Sequence, residues 1–209
     1  MDVDETSVRH GGRTRSERLR AATRRAELGD VAAFVSYSWQ DDGPAQLGQL
    51  LAWASEQPPT RPGGGVQMVW IDRCCIYREN LELSLTCLPI HISGCAKFLV
   101  LAGATYSSRL WCALELFVFV QMGGLKDDID IRLAVPAHGT GDERATAVHS
   151  IVSSLSTFDA AKAQCYLNRD RQRILATIET AFGSTVPFSK LVRAICVDKT
   201  QQLDVYARA

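Results

Sequence analysis

"CAKFLVLAGATYSSRLWCALELFVFVQMGG", residues 95–124, is the stretch on which the fold turns. Residues 95–103 are near-continuously apolar, as a parallel strand covered on both faces must be. A short polar turn follows, and then an apolar run long enough for a helix, closed by Gly123 and Gly124. Ser107 or Ser108 is placed to cap its start and Gly123 its end. A single carboxylate, Glu115, stands in the middle of that run. Burying an unpaired charge costs more than the roughly 2–7 kcal/mol of an unpaired neutral polar group, so Glu115 needs a reason to be there.

Working outward, the same alternation recurs. "DVAAFVSYS" (30–38) reads as a buried strand over residues 31–37, and "VQMVWID" (66–72) as a second. Between them lies a polar turn, then Leu47, Leu50, Leu51 and Ala54 at helical spacing, then the loop "PPTRPGGG". "RCCIYRENLELSLTCLP" reads as an irregular loop passing into a short helix. A fourth strand is expected over residues 129–135, a helix after "HGTGDE", a short fifth strand in "AKAQCYL", and a helix opened by Asp170 and stopped by Gly183. Strands alternating with helices in this way call for an α/β fold with a five-stranded parallel sheet and helices on both faces. In such sheets ligands collect beyond the carboxyl ends of the strands. That rule points to "YSWQDD", "DRCCIYREN", "GATYSS" and "HGTGDE". Neither G-x-G-x-x-G nor a Walker A sequence occurs.

Three regions are expected: a polar, arginine-rich leader over 1–29, a solvated face or a mobile arm; the α/β domain over 30–183; and a helical extension over 184–209. With 209 residues, 46% of them hydrophobic, the chain closes one sizeable core. Its 23 basic and 23 acidic residues cancel, which argues against a nucleic-acid partner. No apolar run reaches the roughly 18–20 residues of a membrane span. The leader has no hydrophobic core of a secretory signal, and seven cysteines without one are expected to be reduced thiols of a cytoplasmic protein. Cys74 and Cys75 are adjacent, unlike metal-ligand spacing, and none of the four histidines pairs with them, so no metal is expected.

Glu115 has two readings from the residues alone. It pairs with an arginine such as Arg109 or Arg132 or reaches solvent along its stem, or it projects into the cleft at the strand ends. It lies one helical turn after Trp111, so the two share a face. Ser36 and Tyr37 leave the first strand and would line that cleft. Trp39 is either a ring-stacking surface or a loop anchor. Asp72 ends the second strand and is favoured as a loop cap. Arg73 and Arg78 either meet a pyrophosphate or are solvated. Asp41 and Asp42 read as turn and N-cap residues.

Three segments together resemble a TIR domain: "AFVSYSWQDD", "VWIDRCCIYREN" and "YSSRLWCALEL". The third is similar to the Ser-Ser-x-x-Trp-Cys-x-x-Glu-Leu helix start of plant-type TIR domains, with Trp111, Cys112, Glu115 and Leu116 in the family's order. "WIDRCCI" also resembles a segment of fungal heterokaryon-incompatibility domains, themselves TIR-like. The likeness covers roughly residues 30–183. It implies a flavodoxin-like three-layer sandwich and a hydrolase or cyclase that cleaves the nicotinamide–ribose bond of NAD. Glu115 would be catalytic, with Ser36, Tyr37, Trp39, Asp72, Arg73 and Trp111 around the substrate. NAD is then substrate, no cofactor is required, and homotypic self-association in immune or cell-death-like signalling is implied. The alternative is a TIR-like interaction module without chemistry. "YRENLELSL" lacks the glycine usual in the family's loop after the second strand.

Overall fold

The computed structural model describes residues 15–58, 67–76 and 86–206. Four strands form one parallel sheet: β1 (Val31–Tyr37), β2 (Val69–Ile71), β3 (Cys95–Ala102) and β4 (Ile129–Leu133), in the order β2-β1-β3-β4. The helices are α1 (Arg15–Ala21), α2 (Gly43–Glu56), α3 (Asp72–Cys75), α4 (Leu88–Ser93), α5 (Leu110–Gln121), α6 (Gly141–Ser156), α7 (Asn168–Phe182) and α8 (Thr185–Tyr206).

Alternation along each strand sorts the core into two faces. Ala33, Val35, Leu99 and Leu101 face Trp53 of α2. Phe34, Phe98, Val100, Ile129 and Ile131 face the other way, against α4, α5, α6 and α8. The step from β1 to β2 runs one way along the sheet and carries α2 on one face. The steps to β3 and β4 run the other way with α4 and α5 on the opposite face, as crossovers of one hand require. Phe34 is in register with Trp70 and Phe98, and the three rings stack across adjacent strands with centroids 4.6 and 5.5 Å apart. Strand β4 alternates: its isoleucines enter the core, while Asp130 and Arg132 reach α2. There Asp130 accepts from Trp53 and Lys97, and Arg132 pairs with Glu56.

The expected fifth strand does not form. Residues 161–167 make one isolated bridge, Arg109 to Gln164, in which Gln164 exchanges backbone bonds with Ser108 and Leu110. The carbonyls of Ala161 and Ala163 accept instead from the Arg171 guanidinium, so a side chain satisfies the backbone where a neighbouring strand would have. The start of α5 also differs from expectation. Residues 106–108 form a 3₁₀ turn, Ser108 donates its hydroxyl to the Thr105 carbonyl, and Arg109 is the N-cap. The helix ends at Met122, followed by Gly123 at φ 95°, the left-handed conformation glycine tolerates best. Asp42 caps α2 by accepting from the Ala45 N–H, and α7 ends at Gly183 as expected. Helix α8 contributes Phe188, Val192, Ile195 and Cys196 to the same core as the sheet. No described helix is long and apolar enough to cross a membrane.

Candidate functional site

Strand order reverses between β1 and β3, the place where open α/β sheets commonly leave a crevice beyond the carboxyl ends of their strands. On α5, positions 112, 116 and 119 are buried toward the sheet. Positions 111, 114 and 118 face a different side, toward α4 and α7. Glu115 falls between these two stripes. That placement carries its carboxylate to the end of β1, where the Ser36 hydroxyl donates to Oε2 at 2.7 Å. Ser36 is 1% exposed, and the wholly buried Tyr106 hydroxyl lies 3.0 Å from the same Oγ. When Glu115 is ionised it accepts the hydrogen bond of the Ser36 hydroxyl, leaving the Tyr106 hydroxyl to donate to Ser36.

Burial pushes the Glu115 pKa up to about 8; the Asp72 charge adds to this and the Ser36 bond opposes it. Arg132, one of two candidate partners, is committed to Glu56 on the opposite face of the sheet. Among the described residues no ion pair joins Glu115 to Arg109 or to any other cation. A carboxyl group so placed keeps its proton near neutrality and ionises only when something favours its charge.

Asp72 gathers the neighbouring candidates. Tyr37 donates its hydroxyl to Oδ1 at 2.8 Å, the Arg73 backbone N–H donates to Oδ1 at 2.6 Å, and the Trp39 indole N–H donates to Oδ2 at 2.8 Å. Asp72 is the first residue of α3, whose N-cap is Ile71 without a side-chain cap bond, and most of the loop it was expected to cap lies outside the described residues. What it does is fix two aromatic side chains beside the end of β1. Its own pKa is raised by burial, against the three donors that lower it. Desolvation and the Asp72 charge raise Tyr37 well above the ordinary phenol range, so it stays a donor. The Arg73 guanidinium lies over the Trp39 ring, 4.6 Å from its centroid.

Trp111 goes elsewhere. It lines a groove of about 400 Å³ with Leu88, Pro89, Leu114, Val118 and Arg173, between α4, α5 and α7. Ser36 and Glu115 are therefore brought into one bonded cluster and Tyr37, Trp39, Asp72 and Arg73 into an adjacent one, while Trp111 faces the groove. Arg78 and the rest of "YRENLELSL" lie outside the described residues.

Two members of the site carried no signal in the sequence. Tyr106 was only part of a helix start, and its hydroxyl meets Ser36 across 70 residues. Asp41, read as a turn residue, crosses the crevice to accept from both the backbone N–H and the hydroxyl of Thr105 at 2.8 Å. It can do so because Gly103 has no side chain: a Cβ there would stand 2.4 Å from Asp41 Cγ. Ser38 completes this bridge through Thr105 Oγ1 at 2.7 Å. Among the described residues no three His, Cys, Asp or Glu side chains gather as a metal site.

The arrangement offers a desolvated carboxylate held by one hydroxyl, a second carboxylate within electrostatic reach, and an exposed indole. Such a set can stabilise a cation that develops in the crevice. Comparison with protein-family models, curated proteins and solved structures gives no match to this chain.

Proposed function

We propose that this chain is a TIR-like enzyme that cleaves the nicotinamide–ribose bond of NAD. The observation that carries the reading is Glu115: a half-buried carboxylate with no cation partner among the described residues, fixed by Ser36 at the strand-order reversal. Cleavage sends the C1′–N electron pair to the ring nitrogen, and nicotinamide leaves as a neutral base. The ribose becomes oxocarbenium-like, and the Glu115 carboxylate stabilises that charge. Water then attacks C1′ and releases a proton, giving ADP-ribose, or a nucleophile of the same molecule attacks and gives a cyclic product. No general acid is needed because the leaving group is neutral. Ser36 holds Oε2, and Tyr106 orients Ser36.

The strand order and the helices on both faces support a flavodoxin-like three-layer architecture for this enzyme. Self-association of copies would complete the crevice in a cytoplasmic signalling role of immune or cell-death type. A second reading, an interaction module without chemistry, is favoured by Leu47 and Leu51. They lie one turn apart on α2 and are 55% and 61% exposed, an apolar pair open to a partner.

Nicotinamide release from NAD, followed by chromatography over a protein concentration series, separates the two. Release that rises faster than linearly with protein and vanishes in Glu115→Ala supports the assembly-dependent enzyme. No release at any concentration supports the interaction module, and equal release in the variant removes Glu115 from the chemistry.

A further inference from the structure

The proposed reaction needs a place for the nicotinamide ring, and Trp111, the aromatic residue the motif supplies, faces the groove between α4, α5 and α7. The indole on the Asp72 side is Trp39, 47% exposed. Its edge is tied to Asp72, whose two oxygens accept from three donors, an arrangement that fits the ionised carboxylate. Its face is covered by the planar Arg73 guanidinium, 4.6 Å from the ring centroid. An electron-rich face with an anion bonded to its edge attracts flat cations, and a guanidinium from the protein itself already demonstrates the fit.

NAD carries one flat cation, the pyridinium ring of its oxidised nicotinamide; its adenine is neutral. We propose that the Trp39 face, backed by Asp72, binds the pyridinium ring of an oxidised nicotinamide nucleotide, and that Arg73 covers this face as an internal stand-in that the ligand displaces. The inference deepens the NAD-cleavage reading and rests on it for the identity of the ligand.

Three consequences follow from charge alone. Exchange of one cation for another leaves Asp72 facing a positive group throughout. Reduced nicotinamide, a neutral dihydropyridine, loses the attraction, so the site selects the oxidised form. Cleavage turns the pyridinium into neutral nicotinamide, so the step that breaks the bond also weakens the hold on the leaving group. A cation–π contact at an exposed site is worth roughly a two- to five-fold factor in affinity, so Arg73 weakens ligand binding by about that much. Stacking on an exposed aromatic is worth roughly five-fold or more, enough for the ligand to win the exchange.

The test uses the full chain and 1-methylnicotinamide, a pyridinium with no glycosidic bond, so that no turnover enters. Binding is read from the Trp39 indole N–H signal in ¹H–¹⁵N spectra, with neutral nicotinamide and AMP titrated in parallel. The cation is expected to move that signal and to bind at least about two-fold more tightly than nicotinamide. Arg73→Ala is expected to tighten the cation's binding about two- to five-fold. Trp39→Ala is expected to weaken it at least about five-fold, now read from the ligand's own signals. Both side chains are exposed, so both variants keep the core. Equal affinity for cation and neutral ring, unchanged or weaker binding in Arg73→Ala, a Trp39 response to AMP alone, or no response to any probe would each overturn the proposal. Cation binding without nicotinamide release from NAD would sink the enzyme reading and leave this receptor standing; release without cation binding at Trp39 would do the reverse.

Discussion

Replacing Glu115 by glutamine keeps the side chain's shape and an acceptor for the Ser36 hydroxyl while removing its titration. The Glu115 pKa is raised from 4.5 to about 8 in the fold, first by burial and then by the Asp72 charge. The folded protein therefore holds this proton more tightly than the unfolded chain. Its contribution to stability is complete below pH 4.5 and is lost as pH rises through about 8. At 1.36 kcal/mol per unit, a fully sealed carboxylate would forfeit about 5 kcal/mol across that window. Glu115 keeps some solvent contact, which reduces the figure to about 3 kcal/mol. For a chain of this length that corresponds to about 6–12 °C in Tm. Thermal and urea unfolding of both proteins from pH 5 to 9 read the difference. The lowered pKa of His91 cancels because both proteins carry it. Glu115→Gln is expected to match the native protein near pH 5 and to exceed it progressively toward pH 9. Two stability curves that stay parallel over that range would refute the reasoning, since they would mean that Glu115 is solvated and needs no explanation.

Ser36→Ala removes the hydrogen bond that opposes the raised pKa of Glu115. The acid limb of NAD cleavage, expected near pH 8, should move up by about 1–2 units, from the 1.5–3 kcal/mol of a hydrogen bond to a charged group; a pH–rate profile for kcat/KM checks it. Gly103→Ala forces Asp41 away from Thr105, because the new Cβ would lie 2.4 Å from Asp41 Cγ. A loss of about 1–3 kcal/mol is expected in urea unfolding, and an unchanged midpoint would show that the crevice bridge is loose. Phe188→Ala empties a buried position packed against Phe117, Phe158 and Phe182 and should cost about 3–5 kcal/mol. A loss below about 1 kcal/mol would show that α8 unfolds apart from the sheet.

Strands β1 and β3 were legible because both their faces are covered, which leaves an unbroken apolar run that few other structures tolerate. Strand β4 was legible for the opposite reason: its outer face meets Trp53 and Glu56 of α2 and Lys97 of β3, so isoleucines alternate with Asp130 and Arg132. "AKAQCYL" misled because a short run of small and apolar residues is also what a buried loop looks like. The Arg171 side chain that replaces its strand partners sits on the following helix. In the site, Glu115 was legible as a charge out of place within one element, and Ser36 as the residue leaving a strand. Tyr106–Ser36 and Asp41–Thr105 were not, because they join positions 70 and 64 residues apart and leave no periodic trace. Trp111 shows the limit of helical spacing. It stands 40° from Glu115 on the helix, yet that angle spans the boundary between the crevice and the groove.

A carboxyl group that keeps its proton until about pH 8 is poorly suited to stabilising a cation unless the cation is what ionises it. At neutral pH only about one molecule in ten carries the Glu115 charge. The proposed cleavage sets the pyridinium–ribose bond against Glu115, and that positive charge favours the ionised carboxylate directly. It therefore lowers the Glu115 pKa in the complex. By linkage, the ionised enzyme then binds the oxidised ring more tightly by the same factor. The carboxylate would thus exist mainly when a substrate that needs it is present, and the buried charge would be avoided the rest of the time. The difference is measurable. The acid limb of kcat, which reports the complex, should lie below that of kcat/KM, which reports the free enzyme. Arg73→Ala, which removes the internal cation, should widen the gap by raising only the free-enzyme value. Coincident limbs in both proteins would mean that Glu115 and the Trp39 face act independently.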